Sequence, residues 1–144
     1  MNKVKFYVVA AFMAITFLGV FQSCKKGEDD PAVSIYSRKD RLTNTWTLNK
    51  YEKNGSVQDI SGTTHIYSIN NNGTLTHTIE GSIFGFPTRT VRDGQWVFMS
   101  DDEDVKITIG SEVTIFNIQR LASKELWLKQ TIGADTHVYY YTGL

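Results

Sequence analysis

The chain has 144 residues, one cysteine, and 15 basic side chains against 15 acidic, a formal net charge of zero. That length accommodates one domain with an appendage. The balanced charge argues against a nucleic-acid binder, which normally carries a basic surplus and stripe, and a single cysteine excludes an intrachain disulfide, a zinc knuckle and a CxxC redox pair.

Met1-Asn2-Lys3-Val4-Lys5 is a short basic start, and Phe6 to Phe21 is an apolar run interrupted only by Thr16 and Gly19. At about 1.5 Å per residue the run spans roughly 24 Å, short of the roughly 30 Å hydrocarbon core. Residues 1–23 therefore read as a secretory signal rather than a transmembrane helix. The run ends at Gln22-Ser23-Cys24, which places the only cysteine directly after a small residue. This layout resembles a bacterial lipoprotein signal, with Phe21 where that family usually carries Leu. The resemblance implies cleavage before Cys24 and acylation of Cys24, hence a palmitate-type anchor in outer-membrane lipid. A chance cysteine beside an ordinary cleavage site is the alternative. Acyl chains at about 0.8 kcal/mol per buried CH2 make a firm anchor. Removal of the signal takes two lysines with it and leaves the mature chain slightly acidic, so attachment would come from lipid rather than from a cationic face.

Residues 24–36 read as the lipidated N-terminus and a solvated tether, because Lys25-Lys26-Gly27-Glu28-Asp29-Asp30-Pro31 is charged and carries Gly and Pro. The acidic triple resembles the export tract of Bacteroidota surface lipoproteins. That implies the outer membrane, on its cell-surface or its periplasmic face. Ser37 followed by Asp40 has the form of a helix start, and a short helix is expected over Ser37–Asn44.

Residues 37–144 form the domain. Eight runs rich in β-branched and aromatic residues follow, cut by turn signals: Thr45–Tyr51, Thr63–Asn70, Thr74–Ser82, Thr88–Met99, Asp104–Ile109, Glu112–Leu121, Glu125–Ile132 and Thr136–Tyr141. The links are mostly short, which forces antiparallel neighbours. An all-β, eight-stranded antiparallel up-and-down barrel follows, since closure removes the exposed edges. A two-sheet sandwich would need long crossovers, and only Glu52–Gly62 could serve as one. The three-residue loop Asn71-Asn72-Gly73 pairs Ile69 with Leu75, Tyr67 with His77 and His65 with Ile79, all on one face. The other face is mostly polar, so the first set should point inward.

Leu42-Thr43-Asn44-Thr45-Trp46-Thr47-Leu48, Asn71-Asn72-Gly73-Thr74-Leu75, Gly94-Gln95-Trp96-Val97-Phe98 and Ile118–Leu128 stand in an order and spacing similar to the small lipocalin-like domains of Bacteroidota lipoproteins. Asn44 replaces the Gly that normally stands two residues before the first-strand Trp. The resemblance implies a lipocalin-like barrel and small-molecule binding.

No GxSxG, P-loop, GxGxxG or HExxH occurs, so no enzyme, catalytic residue or cofactor is expected. His65 and His77 fall diagonally on adjacent strands, but a catalytic zinc wants three protein ligands, and no metal is expected. Asp101-Asp102-Glu103-Asp104 lacks the spacing of a calcium loop and reads as a solvated turn. Two functions stay open. In the first, a small apolar ligand sits in the lumen against His65, Tyr67, His77, Ile79, Trp96 and Phe98. In the second, the barrel is filled by Trp46, Tyr67, Trp96 and Phe98, and its loops contact a protein partner. A meander puts the two longest links, Glu52–Gly62 and Gly81–Pro87, at one end, which is then the mouth. Ile83-Phe84-Gly85-Phe86-Pro87 lies there, with Phe84 and Phe86 either lidding the mouth or folding back to cap the core. Arg89 and Arg92 stay unassigned to a face, because Gly94 is a candidate bulge.

Overall fold

The computed structural model describes residues 30, 31 and 34–144; the signal segment, Cys24 and the tether as far as residue 29 lie outside the described residues. Helix α1 spans Arg38–Leu42 and is capped as its sequence requires: the Ser37 hydroxyl oxygen accepts the Asp40 amide N–H at 3.0 Å. It is shorter than expected, because Thr43 turns to an extended ψ of 94° while its N–H still bonds the Lys39 carbonyl.

Nine strands follow: β1 (Thr45–Lys53), β2 (Ser56–Gln58), β3 (Thr63–Ile69), β4 (Thr74–Ile83), β5 (Phe86–Met99), β6 (Asp104–Ile109), β7 (Glu112–Leu121), β8 (Glu125–Ile132) and β9 (Asp135–Gly143). β1 and β3 to β9 pair antiparallel in sequence order, and β9 returns to β1 to close an eight-stranded barrel. Ile69 pairs with Leu75, Tyr67 with His77 and His65 with Ile79, the register expected from the Asn-Asn-Gly loop.

Two links depart from expectation. The stretch Glu52–Gly62 is not an open loop. Asn54 and Gly55, with φ of 51° and 77°, make a type I′ turn that folds β2 back onto the end of β1. Nor is Gly81–Pro87 a loop. β4 and β5 continue as a paired ribbon to Ile83 and Phe86, joined by Phe84 and Gly85 alone. Gly94 is not in a bulge: it pairs with both Leu75 and Ile109. Its missing side chain is a packing requirement, because a Cβ there would lie 2.5 Å from the Thr108 carbonyl oxygen. With no parity flip along β5, Arg92 falls on the same face as Trp96, and Arg89 on the other.

The closed end lies at the β3–β4, β5–β6 and β7–β8 turns, and α1 covers it. Leu42, Trp46, Leu121 and Leu126 are fully buried there. The Trp46 indole N–H donates to the Leu42 carbonyl at 2.8 Å, which joins the first strand to the end of the helix. The Trp96 indole N–H donates to the Asn70 carbonyl at 2.8 Å in the β3–β4 turn. Asn44 accepts the Thr45 N–H and directs its Nδ2 to the carbonyls of Ser123 and Leu144. Its amide thus ties three chain segments together at that end.

Candidate functional site: an aromatic cup at the barrel mouth

Inward-facing residues change character along the barrel axis. Towards the closed end most are aliphatic or Trp and are buried, namely Ile69, Leu75, Trp96, Val105, Ile118 and Leu121, with Phe98 partly buried beside them. Towards the other end the inward positions carry His, Tyr, Arg and Glu, and His65, His77, Ile79, Tyr51, Tyr139 and Arg92 are only partly buried. An inward side chain in a closed barrel meets water only where the lumen is open. The upper barrel is therefore a cup with a packed floor.

Two ring clusters form its wall. On β3 and β4, His65 Nδ1 and His77 Nε2 lie 3.3 Å apart, within reach of a hydrogen bond in which one ring N–H donates to the lone pair of the other. Their backbone positions are diagonal, yet the rings reach across to centroids 5.5 Å apart, and Tyr67 packs on His77 at 4.6 Å. On β1 and β9, Tyr51 stacks between His137 and Tyr139 at 5.9 and 5.0 Å, and its hydroxyl is hydrogen-bonded to His137 Nδ1 at 2.6 Å. Tyr141 adjoins Tyr67 at 5.7 Å and Phe116 meets Tyr139 edge-on, which carries the aromatic surface around the lumen. At the rim the Arg92 guanidinium donates to the Glu112 carboxylate at 2.6 Å.

Burial disfavours charge on several of the rings that line the cup. Burial, then the charges of His65 and Arg92, push His77 down to about 4, and burial also lowers His65. Burial raises the Tyr67 hydroxyl to about 12 and holds Tyr139 and Tyr141 above their ordinary value. Between the ordinary histidine value of about 6.5 and the folded value near 4, the unfolded chain takes up a proton at His77 that the folded chain refuses. Stability is fully retained above that window and falls as pH drops through it. An NMR titration of the imidazole protons is expected to find the His77 midpoint near 4. A midpoint at the ordinary value would show an imidazole already solvated as in a free chain.

Of the residues singled out from the sequence, the fold brings His65, Tyr67, His77 and Ile79 together in the cup. Trp96 and Phe98 stand apart from them at the closed end, packed edge-to-face on one another. Phe84 and Phe86 stand clear of the lumen at the tip of the β4–β5 ribbon, 97% and 72% exposed, so neither folds back to cap the core. Tyr51, Arg92, Glu112, His137 and Tyr139 were not foreseen. Alternation along Thr136–Tyr141 carried a signal for the last two, since His137, Tyr139 and Tyr141 share one face. Among the described residues no three His, Cys, Asp or Glu side chains come together as a metal site.

No known protein family matches the chain by its sequence pattern, and no curated protein matches it in sequence. The likeness is one of shape. A lipocalin-like protein from Bacteroides uniformis superposes with a TM-score of 0.55 at 12% identity, covering 72% of this chain and 99% of its own. Japanin from Rhipicephalus appendiculatus, bound to cholesterol, superposes with a TM-score of 0.52 at 9% identity, covering 71% of this chain and 75% of its own. The fold of this protein is lipocalin-like.

Proposed function

We propose that the protein is a lipid-anchored envelope lipoprotein that holds one small ligand in the cup at its barrel mouth, and that it binds rather than catalyses. The observation that carries this reading is the partly exposed inner wall of His65, His77, Tyr51 and Tyr139 above a packed floor that includes Tyr67. Eight-stranded barrels have room for one small ligand or none, and here the partly exposed inward rings lie in the upper half. The lining favours a ligand with a flat apolar body, which can lie on aromatic faces, and with polar groups to meet the His and Tyr donors and acceptors. That is a more amphipathic molecule than a purely apolar one. Cholesterol in japanin, a body of flat rings with one hydroxyl, supports the capacity of this fold for such a shape. Cys24, acylated and in the outer membrane, would be the anchor.

Titration with 1-anilinonaphthalene-8-sulfonate, a flat amphipathic fluorophore, tests the cup. Uptake is expected for the native chain, and His77→Trp, which fills the lumen, should weaken it by at least about tenfold, some 1.4 kcal/mol. Equal uptake by both would place the dye elsewhere.

A second reading, contact with a protein partner, rests on the ribbon tip. Phe84 has a φ of 53°, a left-handed conformation that costs a residue other than Gly about 1 kcal/mol. It is almost wholly exposed, as are Ile83 and Phe86 for the most part. Burial does not account for these residues, whereas contact with a partner would. Replacing Phe84 and Phe86 by Ser is expected to leave thermal stability within about 0.5 kcal/mol of the native value, while removing any protein that co-purifies through the tip. A large stability loss would show that the tip packs on the barrel.

A further inference from the structure

Asp30 is the first described residue, and its side chain is 1% exposed at the closed end of the barrel. Its Oδ1 accepts the Leu121 amide N–H at 2.6 Å, at the end of β7. Its Oδ2 accepts from Arg38 Nη1, and Arg41 Nη2 lies 3.9 Å away. Both arginines are on α1 and both are buried. A carboxylate so held is a fixed point of the chain, not part of a free linker. From Cys24 to Asp30 there are six residues, which reach at most about 20–22 Å when fully extended. An acylated Cys24 therefore confines the Asp30 end of the barrel close to the bilayer.

A second observation concerns the same end. Ile35 and Leu144 are 91% and 81% exposed, and Tyr36 is mostly exposed. Tyr36 shares a cleft with Asn44 and Ser123, and Asn44 bonds the Leu144 carbonyl, so these groups gather on one surface. Lys39 and Lys124 are exposed at the same end, and the exposed Asp40 lines the cleft with Tyr36. Aliphatic, Tyr and Lys side chains together are the composition of a membrane–water interface.

We propose that the closed end of the barrel is the face turned to the lipid surface, held there by the Asp30–Arg38–Arg41 lock, so that the cup and the Phe84 ribbon tip open away from the bilayer. This rests on acylation of Cys24. The alternative geometry has the apolar ribbon tip in the bilayer, with the cup facing lipid and the barrel inverted. The lock opposes it, because the short reach from Cys24 ends at the wrong pole.

The full lipidated protein, reconstituted in phosphatidylcholine–phosphatidylglycerol vesicles, distinguishes them. Fluorophores are attached through Lys124→Cys at the closed end or Ser111→Cys in the β6–β7 turn at the mouth, and quenched by lipids carrying a headgroup nitroxide. Quenching is expected to be several-fold stronger at position 124. In the Asp30→Asn variant the difference should shrink, because the barrel is freed from its fixed point. Stronger quenching at position 111, or equal quenching at both in the native chain, overturns the orientation. An intact mass without acyl groups, or failure to float with the vesicles, overturns the anchor and the orientation with it.

Discussion

Replacing Trp46 by Ala is expected to cost about 3–5 kcal/mol, the range for deleting a large buried aromatic whose site cannot collapse. Trp46 is fully buried, its indole N–H bonds the Leu42 carbonyl, and it begins the strand whose pairing with β9 closes the barrel. Collapse is blocked on one side by the backbone of β9: at Gly143 even an added Cβ would lie 2.8 Å from the indole ring. For a domain stabilised by about 5–15 kcal/mol the loss takes a large share of the total. Trp127 provides the contrast. It lies on the outer wall between Tyr140 and the Arg120 guanidinium, so Trp127→Ala should cost about 1 kcal/mol. Urea denaturation of both variants checks this. Equal losses would mean that the closed end is not the structural foundation of the barrel.

Replacing Asp30 by Asn is expected to cost about 3–5 kcal/mol, the range for removing one partner of a buried ion pair. The amide is nearly isosteric and still offers an oxygen to the Leu121 N–H, so the change isolates the charge. Arg38 and Arg41 then remain buried without a counter-ion in contact. Burial already pulls the Arg38 guanidinium below its ordinary value, with the Asp30 charge as the chief opposing influence. Arg38 Nε and Nη2 and Arg41 Nε have no acceptor among the described residues, so the carboxylate carries a large share of the compensation there. Adding Arg38→Met to Asp30→Asn should recover part of the loss, since one uncompensated charge is then gone. Denaturation midpoints of the single and double variants measure both effects. A single variant as stable as the native chain would show that the arginines find water instead.

The parts of this fold that were legible in the sequence are those in which a local signal decides. Asn71-Asn72-Gly73 set the β3–β4 register because only one loop length segregates Tyr67, Ile69 and Leu75 from the threonines. Short links in chain order implied the meander. β2 escaped notice although Asn54-Gly55 is a strong hairpin dipeptide. Its strand is short and exposed, so it adds no apolar alternation to the turn signal. The ribbon at Ile83–Phe86 escaped because Phe in a left-handed turn position runs against turn preference. Its four apolar residues looked like a loop rather than strand ends. Half of the cup was out of reach for a different reason. Tyr51 meets His137 and Tyr139 only through closure of β1 on β9, and Asp30 meets Leu121 across 91 positions. Hairpin reasoning reaches sequence neighbours, whereas barrel closure joins the two ends of the domain.

Native mass spectrometry of the full-length protein, purified from its own host without denaturation, tests the open cup most directly. A barrel that holds a ligand against His65, Tyr67 and His77 gives a folded species heavier than the denatured polypeptide by one small-molecule mass, and that mass leaves on unfolding. The His77→Trp variant, with its lumen filled, should appear without it. A native species that matches the denatured polypeptide alone, or a mass excess that persists unchanged in His77→Trp, would contradict a ligand in the cup.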